Sequence, residues 1–178
     1  DELAQPAHAY LFVGPASSGK ATIARRFAAG LISEDPAVQG RVLSGAHPDV
    51  ILVEPDGRSS ITVDQARRAS AQASLSPLEA NRKVFLIEEA GIINDEAANA
   101  LLKLLEEPPK DVVLLLVSHQ PAGLLPTIRS RCRTLRLAAL GPEDLAAALA
   151  QIGLDPGPEA PALSELAAGS VGRAVALL

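Results

Sequence analysis

The chain of 178 residues, with 48% apolar and 21% charged residues, is long and apolar enough to bury a core, which excludes an intrinsically disordered protein. Its net charge of −5 argues against tight DNA binding by this chain alone, because Lys and Arg contacts to phosphates supply most non-specific affinity. Cys132 is the one cysteine, which excludes an internal disulfide and a cysteine-based metal site and indicates a reducing environment. No apolar run could span a bilayer and the start lacks a signal-peptide pattern, so we expect a cytoplasmic protein without a membrane partner. The absence of Met predicts a fragment of a longer protein.

Short apolar runs alternate with amphipathic stretches along the first three quarters of the chain. The runs predict buried strands, and apolar residues three or four positions apart predict helices. In chain order we expect a strand at residues 10–13, a helix at 20–31, a strand at 50–53, a helix at 61–74, a strand at 84–87, a helix at 94–107, a strand at 112–117, a helix at 124–131 and a strand at 133–137. Residues 33–48 are polar with Pro and Gly, which indicates an irregular connection, and the pair Asp56-Gly57 indicates a turn. This alternation predicts an α/β fold, with a parallel sheet covered by helices on both faces.

Only helical signals follow the break at Gly141-Pro142. They predict helices at residues 145–152, 160–168 and 170–178. We therefore predict two domains, an α/β domain over residues 1–139 and a small all-helical domain over residues 140–178.

A loop typical of phosphate binding follows the first predicted strand. From Gly14 the sequence reads GPASSGKA, the G-x-x-x-x-G-K pattern of a Walker A loop between a strand and a helix. Gly14 and Gly19 would let backbone N–H groups surround phosphate oxygens, and Lys20 would reach the outer phosphates. The next residue, Ala21, lacks the hydroxyl that holds Mg²⁺ in such sites. Thr22 is rotated by roughly 100° around the helix and is poorly placed to replace it.

The strand predicted at residues 84–87 ends in two carboxylates, Glu88 and Glu89. Their position matches a Walker B element, in which the first acid assists the metal and the second polarises water. The usual first acid is Asp, and Glu88 is one methylene longer, whereas Glu89 could still act as the base. The alternative is that both are solvated acids at the end of a strand.

Three further segments resemble signatures of bacterial clamp loaders. They read ANALLKLLEEPP from Ala98, IRSRC from Ile128 and HPD from His47. Together with the phosphate loop and the paired acids, in matching order and spacing, they make residues 10–140 similar to the AAA+ ATPases of the DNA polymerase III clamp-loader complex. The helical tail resembles the lid of that family, so the resemblance implies a P-loop AAA+ domain over residues 1–139 and a lid over residues 140–178.

The resemblance implies roles for individual residues. Arg131, in the Ser-Arg-Cys segment, would reach the ATP site of a neighbouring subunit as an arginine finger; the alternative is that it caps its helix or pairs locally. Ser118 takes the sensor 1 position, where it could bind a γ-phosphate or simply form a turn. Gly172 falls where active members place a sensor Arg, and Arg173 is one position away. Family members with structural zinc carry four Cys in the stretch that matches residues 33–48, so no zinc and no other metal is expected here.

The weakened ATPase motifs favour a loader subunit with little or no ATPase activity of its own, for which ATP or ADP is the possible cofactor. The partners implied are other clamp-loader subunits, gamma/tau and delta, in a hetero-oligomer within the DNA polymerase III holoenzyme, which acts on the sliding clamp and primed DNA. Two alternatives stand beside this hypothesis. One is an active clamp-loader ATPase of the gamma/tau type, against which Ala21, Glu88 and Gly172 count; the other is an AAA+ protein of another pathway, such as branch migration.

Overall fold

A five-stranded sheet is the main element of the computed structural model, which describes residues 3–55 and 60–178. Its strands are β1 (Ala9–Val13), β2 (Val50–Val53), β3 (Lys83–Ile87), β4 (Val112–Ser118) and β5 (Arg133–Arg136). They lie in the order β2-β3-β4-β1-β5, and the pairs β2–β3, β3–β4 and β1–β4 are parallel. Every residue of β1, β3 and β4 is buried, which explains why these sequences are apolar runs and do not alternate. The predicted parallel α/β fold is confirmed.

Eight α-helices are present in the part of the chain that the structure describes. They are α1 (Lys20–Ile32), α2 (Pro36–Leu43), α3 (Val63–Ala73), α4 (Asp95–Glu106), α5 (Pro126–Arg129), α6 (Pro142–Ala150), α7 (Ala160–Leu166) and α8 (Val171–Leu177). Local sequence fixes several of their ends. Thr62 and Gln65 form a capping box at the start of α3, and Asn94 accepts the Ala97 N–H at the start of α4. No described helix is long and apolar enough to cross a membrane.

Two helices differ from the sequence-based expectation. The stretch at residues 33–48, expected to be irregular, contains α2, because Asp35 caps its first turn and Pro36 stands where its missing N–H costs nothing. The helix expected at residues 124–131 is reduced to α5, because the residue before Pro126 is held in an extended conformation. The turn expected at Asp56-Gly57 lies outside the described residues.

Contacts along the chain define two compact units. The larger unit comprises the chain up to Val13 and Ala21–Leu135, and apolar side chains of β1, β3, β4, α3 and α4 dominate its core. The smaller unit comprises Gly14–Lys20 and Arg136–Leu178. The core of this unit is formed by apolar residues of α6, α7 and α8 and by the residue that follows α7. They are Leu145, Leu149, Leu163, Ala167 and Ala174.

Asp49, in the HPD segment, anchors the loop that leads into β3. Its buried carboxylate accepts hydrogen bonds from the backbone N–H groups of Leu78, Glu79 and Ala80 at 2.7, 2.8 and 2.8 Å. Its own N–H donates to His47 Nδ1 at 3.2 Å. Burial alone would raise the pKa of the Asp49 carboxyl, but the three donors and nearby His47 outweigh burial and hold the pKa below its ordinary value. The HPD segment, which resembles a family signature, therefore holds the loop at residues 78–80 in place.

We expect Asp49→Asn to lower the free energy of unfolding by about 2–3 kcal/mol, because a neutral amide accepts weaker hydrogen bonds and brings its own N–H groups near three donors. Because the native pKa is lowered, the stabilisation by the carboxylate is fully present above the unfolded-state pKa of about 3.9. It is lost as the pH falls through the native pKa. Urea denaturation at neutral pH and at a series of acidic pH values measures both effects.

The matched control is Asp35→Asn, because Asn caps a helix about as well as Asp and the free energy of unfolding should change by less than about 0.5 kcal/mol. An Asp49→Asn loss as small as that of the control, or an unchanged pH dependence, would contradict the anchoring role.

Candidate functional site

The phosphate loop makes two sharp turns before α1 begins. Ser17 and Gly19 have positive φ angles of 58° and 80°, a region that glycine adopts readily and other residues seldom do. A Cβ atom at Gly14 would lie 2.6 Å from the carbonyl oxygen of Leu137, which is too close for any side chain. The backbone of this loop therefore favours glycine at both motif positions for steric reasons.

The Lys20 side chain is turned back onto its own loop. It is 7% exposed, and its Nζ donates to the carbonyl oxygen of Pro15 and lies 3.5 Å from Ser18 Oγ. An ammonium group can exchange such neutral oxygens for phosphate oxygens, which are stronger acceptors. The loop thus keeps both a turned backbone and a lysine, the two features that bind phosphate.

Helix α8 begins beside the phosphate loop within the smaller unit. Ser170, the N-cap of α8, donates from Oγ to the Ser17 carbonyl oxygen at 2.7 Å and accepts the Arg173 N–H at 3.2 Å. A Cβ atom at Gly172 would lie 3.4 Å from Ser17 Cβ, an ordinary contact, whereas Arg173 is exposed. Position 172 therefore faces the phosphate loop but carries no side chain.

In the larger unit, Arg25 engages the first of the two strand-end acids. Arg25 Nε donates to Glu88 Oε1 at 2.9 Å, and Nη2 lies 2.8 Å from the same oxygen. The Glu88 side chain is 17% exposed, so solvent screens this pair less than it screens a pair at the open surface. The guanidinium supplies the positive charge that a metal ion would supply to this carboxylate.

The residues present do not fit the Mg²⁺ ion that ATP-hydrolysing P-loop proteins hold. Such an ion is bound by a hydroxyl after the loop lysine and by an acid at the strand end. Here Ala21 has no hydroxyl, the Thr22 side chain is exposed, and Glu88 is paired with Arg25. Among residues 3–55 and 60–178, no group of three or more His, Cys, Asp or Glu side chains is arranged to hold a metal ion.

The second strand-end acid, Glu89, contacts the residue that follows β4. Glu89 adopts a left-handed conformation, with φ 51° and ψ 37°, which is uncommon outside glycine and often marks a functional or strained site. Its Oε2 lies 2.8 Å from His119 Nδ1. Ser118, buried at the end of β4, accepts the Gln120 N–H through Oγ at 3.1 Å, which is the turn-forming role weighed against a sensor role.

The Ser-Arg-Cys segment presents Arg131 at the surface after α5. Arg131 Nη1 donates to the Thr127 carbonyl oxygen at 2.9 Å, and Nη2 lies 2.9 Å from Glu106 Oε1 at the end of α4. The Arg131 and Glu106 side chains are 35% and 49% exposed. The local contacts weighed against a finger role are therefore present, but they leave the guanidinium accessible.

The two neighbours of Arg131 contribute to local structure. Ser130 Oγ donates to the Thr127 carbonyl oxygen at 3.1 Å, and Cys132 packs against the core of the larger unit. Burial raises the pKa of the Cys132 thiol to about 11, so the sulfur is protonated at neutral pH. The segment thus consists of a helix-end serine, an accessible arginine and a half-buried cysteine.

Four residues at these sites are not among those predicted from the sequence: Arg25, Glu106, His119 and Ser170. Glu106 belongs to the ANALLKLLEEPP segment, so a signal for it exists in the sequence. Ser170 precedes an apolar helix as an N-cap should. Arg25 and His119 carry no signal in the sequence, because their partners are distant in sequence or on another strand end.

The chain is similar to subunits of DNA polymerase III. A sequence model of the family described as "DNA polymerase III, delta subunit" matches residues 2–141. The delta' subunit of Pseudomonas aeruginosa is 47% identical over 139 residues, which is 72% of this chain and 42% of that protein. The delta' subunit of Bacillus subtilis is 39% identical over 144 residues, 76% of this chain and 44% of that protein. The chain therefore spans less than half the length of these relatives.

Gamma/tau subunits and other AAA+ proteins are more distant. The DNA polymerase III subunit tau of Escherichia coli is 36% identical over 152 residues, 78% of this chain and 23% of that protein. A DNA polymerase III gamma subunit-related protein from Thermotoga maritima has a TM-score of 0.66 at 24% identity, over 85% of this chain and 50% of that one. The RuvB branch migration motor of the same organism has a TM-score of 0.60 at 17% identity, over 96% of this chain and 52% of that one. These two structures show the shared AAA+ fold. The family model and the delta' relatives show that the chain belongs to the delta-prime family of DNA polymerase III subunits.

Proposed function

We propose that this chain is the nucleotide-binding core of a clamp-loader subunit that hydrolyses little or no ATP itself and supplies Arg131 to the ATP site of a neighbouring subunit. The observation that carries the proposal is the pair between Arg25 and Glu88, because it occupies the carboxylate that a catalytic metal would require. In this proposal residues 1–139 are the AAA+ domain and residues 140–178 the lid.

The loss of hydrolysis rests on several independent features. Ala21 removes one metal ligand, Arg25 occupies another, and Glu89 is held by His119. All three features act on the same metal-dependent step. Phosphate binding by the loop is a separate property, which the backbone and Lys20 can retain without a metal.

The role of Arg131 rests on its accessibility and on guanidinium chemistry. A guanidinium has five N–H groups in a planar fork that matches phosphate oxygens, and two contacts leave several of them for another acceptor. An arginine supplied in trans stabilises the charge on a phosphoryl group during transfer. The partners that we propose are gamma/tau and delta subunits in a hetero-oligomer, which together load the sliding clamp onto primed DNA.

The isolated chain should release no phosphate from ATP in the presence of Mg²⁺ above the level of its Lys20→Ala variant. Ala21→Thr alone should also remain at this level, because Glu88 stays paired with Arg25. Phosphate release under excess ATP measures both. Turnover that Lys20→Ala abolishes would instead support an active ATPase of the gamma/tau type, and turnover gained by Ala21→Thr alone would show that the missing hydroxyl was the whole defect.

Gly172→Arg should tighten binding of ATP to the chain by about fivefold, because it adds a cation of roughly 1 kcal/mol at a position that faces the phosphate loop. Calorimetric titration without Mg²⁺ gives the dissociation constants. Gly172→Ala controls for the loss of glycine, and Arg173→Ala should leave binding unchanged because that side chain is exposed. If the Gly172→Arg and Gly172→Ala variants bind ATP with equal affinity, a side chain at position 172 does not contact the bound phosphates.

Arg131→Ala, placed in the full-length subunit of a reconstituted loader, should slow hydrolysis at the neighbouring site by roughly 10³-fold or more. The melting temperature of the free subunit should fall by less than about 4 °C, because an exposed ion pair contributes little to stability. Rapid-quench measurement of ATP hydrolysed per loader, with clamp and primed DNA, reports the number of active sites.

Two variants sharpen this test. Arg131→Lys should also be defective, since an ammonium does not reproduce the planar fork. Arg129→Ala removes an exposed positive charge two residues away and should have no effect. Full hydrolysis by the Arg131→Ala loader would remove the role in trans, and a large fall in melting temperature would make Arg131 a structural residue.

A further inference from the structure

The guanidinium of Arg131 is held from two directions by the chain that presents it. Thr127, four residues earlier, offers its carbonyl oxygen to Nη1 at 2.9 Å, and Glu106 offers Oε1 to Nη2 at 2.9 Å. The two acceptors come from different helices, since Thr127 lies in α5 and Glu106 is the last residue of α4. A side chain with many rotamers is thus tied at both terminal nitrogens.

Both acceptors stand on well-packed elements. Helix α4 buries Leu101, Leu104 and Leu105, and α5 buries Ile128 completely. The backbone positions of both acceptor residues are therefore fixed by the core of the larger unit. The two groups that Arg131 contacts therefore start from fixed points of the fold, although the Arg131 side chain itself is 35% exposed.

This pair does little for folding. Exposed ion pairs contribute little to the stability of a protein, and both side chains here remain substantially accessible. What the pair does provide is order in a long side chain before a partner arrives. A catalytic group that is already oriented loses less entropy when it meets the transition state, and small displacements of such a group slow reactions strongly.

We infer that Glu106 is a positioning residue, which orients Arg131 toward the phosphate groups bound by the neighbouring subunit. The inference rests on the proposed function of Arg131 and extends it to a residue that does not itself touch the nucleotide. Glu106 uses one N–H of the guanidinium and Thr127 uses another, and a planar guanidinium has five. The remaining N–H groups are left for another acceptor.

The test uses the full-length subunit in a reconstituted loader with clamp and primed DNA. Glu106→Ala should lower kcat at the neighbouring site by roughly 10-fold, a loss in the range that misplacement of a catalytic group produces, and leave KM for ATP unchanged. Glu106→Gln keeps the oxygen acceptor without the charge and should recover part of the rate. Glu107→Ala, which removes the adjacent exposed carboxylate, is the matched control and should match the unmodified subunit.

A double-mutant cycle separates positioning from a general structural effect. In an Arg131→Ala background, Glu106→Ala should cause no further slowing, because the group that it orients is absent. A thermal melt of each free subunit shows whether the variants are folded, and Glu106→Gln serves if Glu106→Ala is not.

The outcomes distinguish this inference from the proposed function. If Arg131→Ala leaves hydrolysis intact, the finger role itself is wrong, and the inference about Glu106 is overturned with it. If Arg131→Ala slows hydrolysis but neither Glu106 variant does, the finger role survives and only the positioning role is overturned. If Glu106→Ala slows hydrolysis equally in the Arg131→Ala background, or raises KM without changing kcat, Glu106 acts by another route and the inference is also overturned.

Discussion

The burial of β3 and β4 on both faces is the constraint on which the chemistry of the larger unit depends. Every residue from Lys83 to Ile87 and from Val112 to Ser118 is buried, so polar groups can reach water only where these strands end. The parallel register pairs Ile87 with Leu116, so both strands end at the same edge of the sheet. This common edge brings Glu89 to His119, although 30 positions separate them in the sequence.

At that edge, the chain satisfies its acids with its own side chains. Arg25 contacts Glu88 and His119 contacts Glu89, each within 3 Å. A carboxylate that a metal ion would otherwise neutralise is costly to leave unpaired in a partly buried place. Arg25 supplies this positive charge to Glu88 from within the chain, and Ala21 has no hydroxyl that could hold a metal ion there.

The sequence predicts the fold well where local signals and packing agree. Strands β1 to β4 are almost continuous apolar runs, whereas β5 reads RTLR and is mostly exposed. Asn94 with its following acids marks the start of α4 as expected. Prediction from the sequence fails where a single proline determines the conformation of the residues beside it. Pro36 reads as a breaker but begins α2, and Pro126 keeps the residue before it extended and shortens α5. At the candidate sites, the motifs identify Lys20, Glu88 and Arg131, but not the partners of Glu88 and Arg131. Arg25 and Glu106 lie 63 and 25 positions from these residues, and only the packing of α1 and α4 brings them together.

The partial burial of Cys132 has a practical consequence for spectroscopy on this protein. Burial raises the pKa of the Cys132 thiol to about 11, so almost all of the thiol is protonated at neutral pH, whereas maleimide reagents react with the thiolate. The chain contains no other cysteine. A cysteine introduced at an exposed position would thus be modified far faster than the native one, and a dye or spin label could be attached at one chosen place without removing Cys132 from the core.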